Sequence, residues 1–84
     1  MTTVGTIRRW LEREARDPDV THVIVMCDWF SHEDFPIAVR KTEDVREVRA
    51  TQEKTGNRVM EVYSLTGKYT IAHQLSEDRA FHYD

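Results

Sequence analysis

From Val23 to Cys27 five consecutive residues are apolar, the densest such run in the chain. A run with no polar face, rich in β-branched residues and bounded by turn signals, predicts a strand over about 21–28 buried on both sides. Upstream the period changes. At 100° per residue Val4, Ile7, Leu11 and Ala15 fall on one face, which predicts a helix from a Thr3 cap to about Arg16. Trp10 lies at the edge of that stripe, placed either to cap the core or to meet a partner. Asp17-Pro18 ends the helix, because the residue before proline is pushed out of the α region.

Downstream, Phe35, Ile37 and Val39 alternate with Pro36, Ala38 and Arg40. This predicts a second strand, at an edge because Pro36 has no N–H to donate, and paired with the first as an antiparallel hairpin. Thr42-Glu43-Asp44 reads as a helix start. That helix runs to about Glu53 and is weakly docked, since Val45 and Val48 share its inner face with Arg49 and Gln52. A third strand follows at Arg58–Leu65, with Val59, Glu61 and Tyr63 on one side and Met60 and Val62 on the other. A short helix over about 69–76 offers Ile71, Ala72 and Leu75 to the core, and Arg79–Tyr83 closes the sheet as a fourth strand. The expected architecture is one α+β domain over residues 1–84, order αββαβαβ. Helices pack on a mixed, mostly antiparallel four-stranded sheet.

Composition narrows this picture. An 84-residue chain buries roughly 60–65% of its unfolded surface, so the core is thin. A hydrophobic share of 39% still excludes low-hydropathy disorder. The lone Cys27 excludes an internal disulfide framework and reads as a small buried hydrophobe. With neither a signal-peptide pattern nor an apolar run of spanning length, a soluble cytoplasmic protein with no membrane partner is expected. Net charge is −3, and residues 17–34 carry five acids (Asp17, Asp19, Asp28, Glu33, Asp34) without a single Lys or Arg. No basic stripe dominates, which argues against nucleic acid and leaves room for an acidic patch meeting a basic protein partner.

Candidate chemistry is sparse. Gly5, Gly56 and Gly67 are the only glycines and cannot form a phosphate-cradling loop, and no C-x-x-C or H-E-x-x-H occurs. Ser31 and His32 are adjacent, and neighbours in extended chain point apart, so they do not make a nucleophile–base pair. The best polar constellation is Asp28, His32, Glu33 and Asp34 around one loop, with His82 as a fifth member. Its oxygen and imidazole donors would suit Zn or Mn if three converged. In the same loop Trp29 and Phe30 beside carboxylates have the composition of a binding hot spot. Glu61, mid-strand, needs an ion-pair partner such as Arg40 or Arg79 if its face is buried. Arg9, Arg13 and Arg16 share the outer face of the first helix. They form either a contact for phosphate or an acidic partner, or a solvated ridge laced by Arg8–Glu12 and Glu12–Arg16 pairs.

The order of these segments carries a resemblance. It begins with a short helix, a Pro-Asp turn, the Val-Ile-Val-Met-Cys-Asp strand and the Glu-Asp-Phe-Pro hairpin. Asp-Val-Arg-Glu, the strand from Arg58 to Leu65, a helix ending Gln-Leu and an aromatic C-terminus complete it. The whole resembles small uncharacterised α+β proteins of bacteriophages and prophage-bearing bacteria. The resemblance implies a phage accessory protein and supplies no catalytic residues. Two functions follow. The favoured one is a protein-interaction module whose loop Asp28, Trp29, Phe30, His32, Glu33 and Asp34 binds a host or phage macromolecule, for example as an inhibitor of a bacterial defence system such as an anti-CRISPR. The other is a small metal-dependent or acid–base enzyme using Asp28, His32, Asp34 and Glu61. No cofactor is expected for the first. Trp10, Trp29, Phe81 and Tyr83 exceed what so thin a core needs, which adds a homodimer to the expectations.

Overall fold

The first strand takes the central position because its unbroken apolar run fills both faces of a sheet. In the computed structural model, which describes residues 2–84, β1 (Val20–Cys27) lies between β2 (Asp34–Arg40) and β3 (Arg58–Ser64), antiparallel to both. Val23, Ile24, Val25 and Met26 are all buried. They alternate between two cores. Val20, Val23 and Val25 join Tyr63, Ala80 and the helix α1 (Val4–Ala15) on one face. Ile24 and Met26 join Val39, Val59, Val62 and the helix α2 (Val45–Glu53) on the other. A third helix, α3 (Ile71–Leu75), packs beside α1.

Local chemistry places the helix ends where the caps are. Thr3 Oγ1 accepts the Thr6 N–H, Asp44 Oδ1 accepts those of Arg46 and Glu47, and Thr70 Oγ1 accepts that of His73. The cap of α2 is therefore Asp44, the last residue of the Thr42-Glu43-Asp44 start. Pro36 sits on the edge strand β2, opposite Val25, as its missing N–H requires.

Four expectations are corrected. The α1 stripe is shorter than its period implies: Ile7 and Leu11 are buried, Val4 and Ala15 are exposed, and Trp10 packs half-buried against the α1 core. On α3, Ala72 is exposed and Gln74 is buried instead. In β3 the facing changes partway, because Glu61 opposes Val25 while Val59 opposes Met26. Met60 is thus an extra, bulged residue. It returns Val59 to the face of Val62 and puts Met60 with Tyr63.

The fourth correction is the sheet. It has three strands, in element order αββαβα, and the segment expected as a fourth strand makes a single parallel bridge, Val62 to Phe81. There the Val62 N–H donates to the Ala80 carbonyl and the His82 N–H to the Val62 carbonyl, both at 2.9 Å. The ladder cannot extend because side chains already hold the next outward-facing groups of β3. Arg79 Nη2 donates to the Met60 carbonyl at 3.0 Å, and the Gln74 amide takes both the N–H and the carbonyl of Ser64 at 2.8 Å each.

Candidate interaction site

The β1–β2 hairpin carries the most exposed aromatic pair in the chain. Trp29 is 63% exposed and Phe30 79%, and their rings meet edge to face with centroids 5.7 Å apart. The backbone beneath them is tightly held. Asp28 Oδ1 accepts the N–H groups of Phe30 at 2.8 Å and Ser31 at 3.0 Å. These bonds keep the Asp28 carboxyl below its ordinary pKa. The Asp28 N–H donates to the Glu33 carbonyl at 2.8 Å, and the His32 N–H donates to the Asp28 carbonyl at 2.9 Å. His32 turns the chain at φ 60°, in the left-handed region.

Two residues from the α2–β3 connection complete the support. Asn57 Oδ1 accepts the Trp29 N–H at 3.1 Å. Gly56, at φ +92°, lies against the indole, where an added Cβ would stand 3.5 Å from Trp29 Cδ1. A shallow cleft of about 260 Å³ opens beside the ring, lined by Cys27, Asp28, Trp29, His32 and Arg58. Its apolar surroundings and the neighbouring Asp34 carboxylate push the Cys27 thiol up, away from a reactive thiolate.

The candidate acid–imidazole constellation is divided in space. Asp28 and His32 border this cleft, whereas Asp34 and Glu61 line a separate one of about 290 Å³ with Ile7, Met60 and Arg79. His82 lies elsewhere, its Nε2 2.5 Å from Glu77 Oε1. Among the described residues no three His, Cys, Asp or Glu side chains are grouped to hold a metal ion. The split follows the hairpin: Asp28 opens the loop one residue beyond β1, whereas Asp34 already belongs to β2, paired with Cys27.

Glu61 finds a different partner from those expected. Its Oε2 accepts the Ala80 N–H at 3.4 Å, and its carboxylate, second to burial, pushes the Tyr63 phenol up. Arg40 is occupied at Asp17 (3.1 Å) and Asp19 (3.3 Å). On α1, Arg9, Arg13 and Arg16 are exposed. Arg9 donates to Thr6 Oγ1 at 3.2 Å and Arg13 pairs with Glu14 at 3.3 Å, while neither expected i,i+4 pair forms. None of those arginines lines the cleft beside Trp29, so they do not belong to this site. Asn57, Gly56 and Arg58 do, and sequence reading passed over them. Nothing local in the Gly56-Asn57 pair indicates that it closes on Trp29.

No protein-family model matches the chain, and no match was found among curated proteins or solved structures.

Proposed function

We propose that this chain is a small protein-interaction module, a phage or prophage accessory protein, whose loop 28–34 docks on a basic surface of a host or phage macromolecule. An inhibitor of a bacterial defence system is the role such a module fits. The observation that carries the reading is the exposure of Trp29 and Phe30 together on a loop whose backbone is fixed from both sides. Fixing the loop in advance removes much of the ordering entropy that binding otherwise costs, and Trp is the residue type most enriched among binding anchors. The surrounding Asp28, Glu33 and Asp34 carboxylates give the rim one sign, which steers a basic partner and rejects an acidic one. The enzyme reading lacks this support, because its four residues divide between two shallow clefts.

The test is affinity capture from bacterial lysate with wild type, Trp29→Ala and Glu33→Gln, followed by kinetics on the captured protein. Trp29→Ala is expected to raise the dissociation rate on the order of 10-fold or more. Glu33→Gln is expected to slow association and flatten its salt dependence. Full affinity in both variants would remove the loop from the interface.

A further inference from the structure

A second aromatic surface, opposite in charge to the loop, lies along the same flank of the molecule. Three guanidinium groups surround the last two aromatic rings of the chain. Arg46 stands over Tyr83 at 4.0 Å from its ring centroid, and Arg49 reaches the Tyr83 hydroxyl. Arg49 and Arg79 lie 5.5 and 5.3 Å from the centroid of Phe81, which is 40% exposed. Arg49 also pairs with Glu53 at 3.4 Å. Arg46 and Arg79 have no carboxylate within 4.0 Å among the described residues. A guanidinium that lies over a ring still has N–H groups to donate to a carboxylate.

The two surfaces sit at opposite ends of one stretch. At the loop end Arg58 opposes Cys27, and at the other end Val62 bridges Phe81. From Arg58 to Val62 is four residue steps of β3, roughly 13 Å at the rise of a strand. Helix α2 follows the same flank, carrying Arg46 and Arg49 while the turn after it delivers Gly56 to Trp29. One end thus presents exposed aromatics rimmed by carboxylates, and the other presents the exposed Phe81 ring and the half-buried Tyr83 rimmed by arginines. Arg58 offsets only one of the three acids at the loop. A bipolar strip of this kind is self-complementary: turned by a two-fold axis through its middle, each end covers its opposite on the second copy.

We infer that the chain binds a second copy of itself along this strip, the acidic loop of each protomer (Trp29, Phe30, Glu33) seated on the arginine–aromatic patch (Arg46, Arg79, Phe81) of the other. The inference rests on the reading of loop 28–34 as a recognition element and names its first partner. Aromatic rings of one copy meet guanidinium groups of the other at both ends, so cation–π contact and ion pairing act together. An external basic partner then competes with the second copy for the same loop.

Sedimentation equilibrium of the full chain at roughly 0.1 mM protein tests this. Wild type in a buffer of low ionic strength should show twice the 9.9 kDa chain mass. It should return to the single-chain mass in about 0.5 M salt, where the screening length falls to a few ångströms. Arg46→Glu/Arg79→Glu and Glu33→Arg should each be monomeric alone, while an equimolar mixture should dimerise again, because the reversed ends now match. The mixture also shows that both variants are folded. Arg46→Glu alone, which disturbs only an exposed stack on Tyr83, serves as a milder second variant and should weaken association at least 5-fold. A wild type that stays monomeric at low salt overturns the inference without touching the loop's role toward an external partner. A dimer indifferent to both charge reversals, or a mixture that stays monomeric, overturns it as well.

Discussion

Gln74 has no solvent contact, and its side-chain amide does for Ser64 what a neighbouring strand would do. Two further carbonyls, those of Tyr69 and Thr70, accept from its Nε2 at 3.1 and 3.4 Å. Gln74→Ala leaves the Ser64 N–H and carbonyl unpaired in a closed site. At about 1–3 kcal/mol for each orphaned group, a loss of roughly 3 kcal/mol is expected in urea unfolding. Gln74→Met keeps the volume and should lose most of that amount. A drop below about 1 kcal/mol for both would show that water replaces the amide. Val25→Ala, a plain core truncation, should cost on the order of 1–3 kcal/mol. Of these two residues only Val25 was legible in the sequence, because burial on both faces writes itself as an unbroken apolar run. The role of Gln74 depends on a partner ten positions away in the chain, and no periodicity records that.

At the scale of elements, β1, the edge placement of β2 and the extents of α1 and α2 followed from spacing and caps. What failed did so where side chains replaced backbone. Arg79 and Gln74 occupy the ladder positions that would have made Arg79–Tyr83 a strand, and the Met60 bulge shifts half of β3 by one residue. The loop composition was legible as well, but its two-sided support was not, since Asn57 and Gly56 come from a connection 28 residues on from Trp29. That support gives a prediction. Gly56→Ala places a side chain in a left-handed conformation, at a cost of about 1–2 kcal/mol, and the backbone shift that relieves it moves the support under the indole, which the new Cβ touches at 3.5 Å. The expected result is a modest fall in stability together with a changed Trp29 fluorescence maximum. An unchanged spectrum would mean that the connection does not hold the ring.

For the whole molecule, pH acts first through His22. It is buried between the sheet and the C-terminal segment, with Nδ1 2.9 Å from Thr21 Oγ1 and Nε2 without a partner. Burial holds its pKa below 6.5, outweighing the Tyr83 backbone and the Asp84 carboxylate, both of which favour the charged ring. The native state therefore refuses a proton that the unfolded chain accepts. Stability from this group is present above pH 6.5 and drains away as pH falls below it. Asp17 and Asp28, whose carboxyls are held below 3.8, lose their contribution only in more acidic solution. Urea midpoints should thus drop between about pH 7.5 and pH 5.5 in wild type and stay level in His22→Gln. Equal slopes in the two proteins would place the effect elsewhere.

The side-chain clasp on Ser64 also has a consequence in time. A five-residue helix does not hold itself together, so α3 persists only while it is docked. Each time it lifts, Gln74 leaves with it, and the Ser64 amide meets solvent while its β1-facing neighbours remain paired. In deuterium exchange that one amide should tick at the rate of the helix rather than of the sheet, and the Gln74 carboxamide protons should keep the same slow clock.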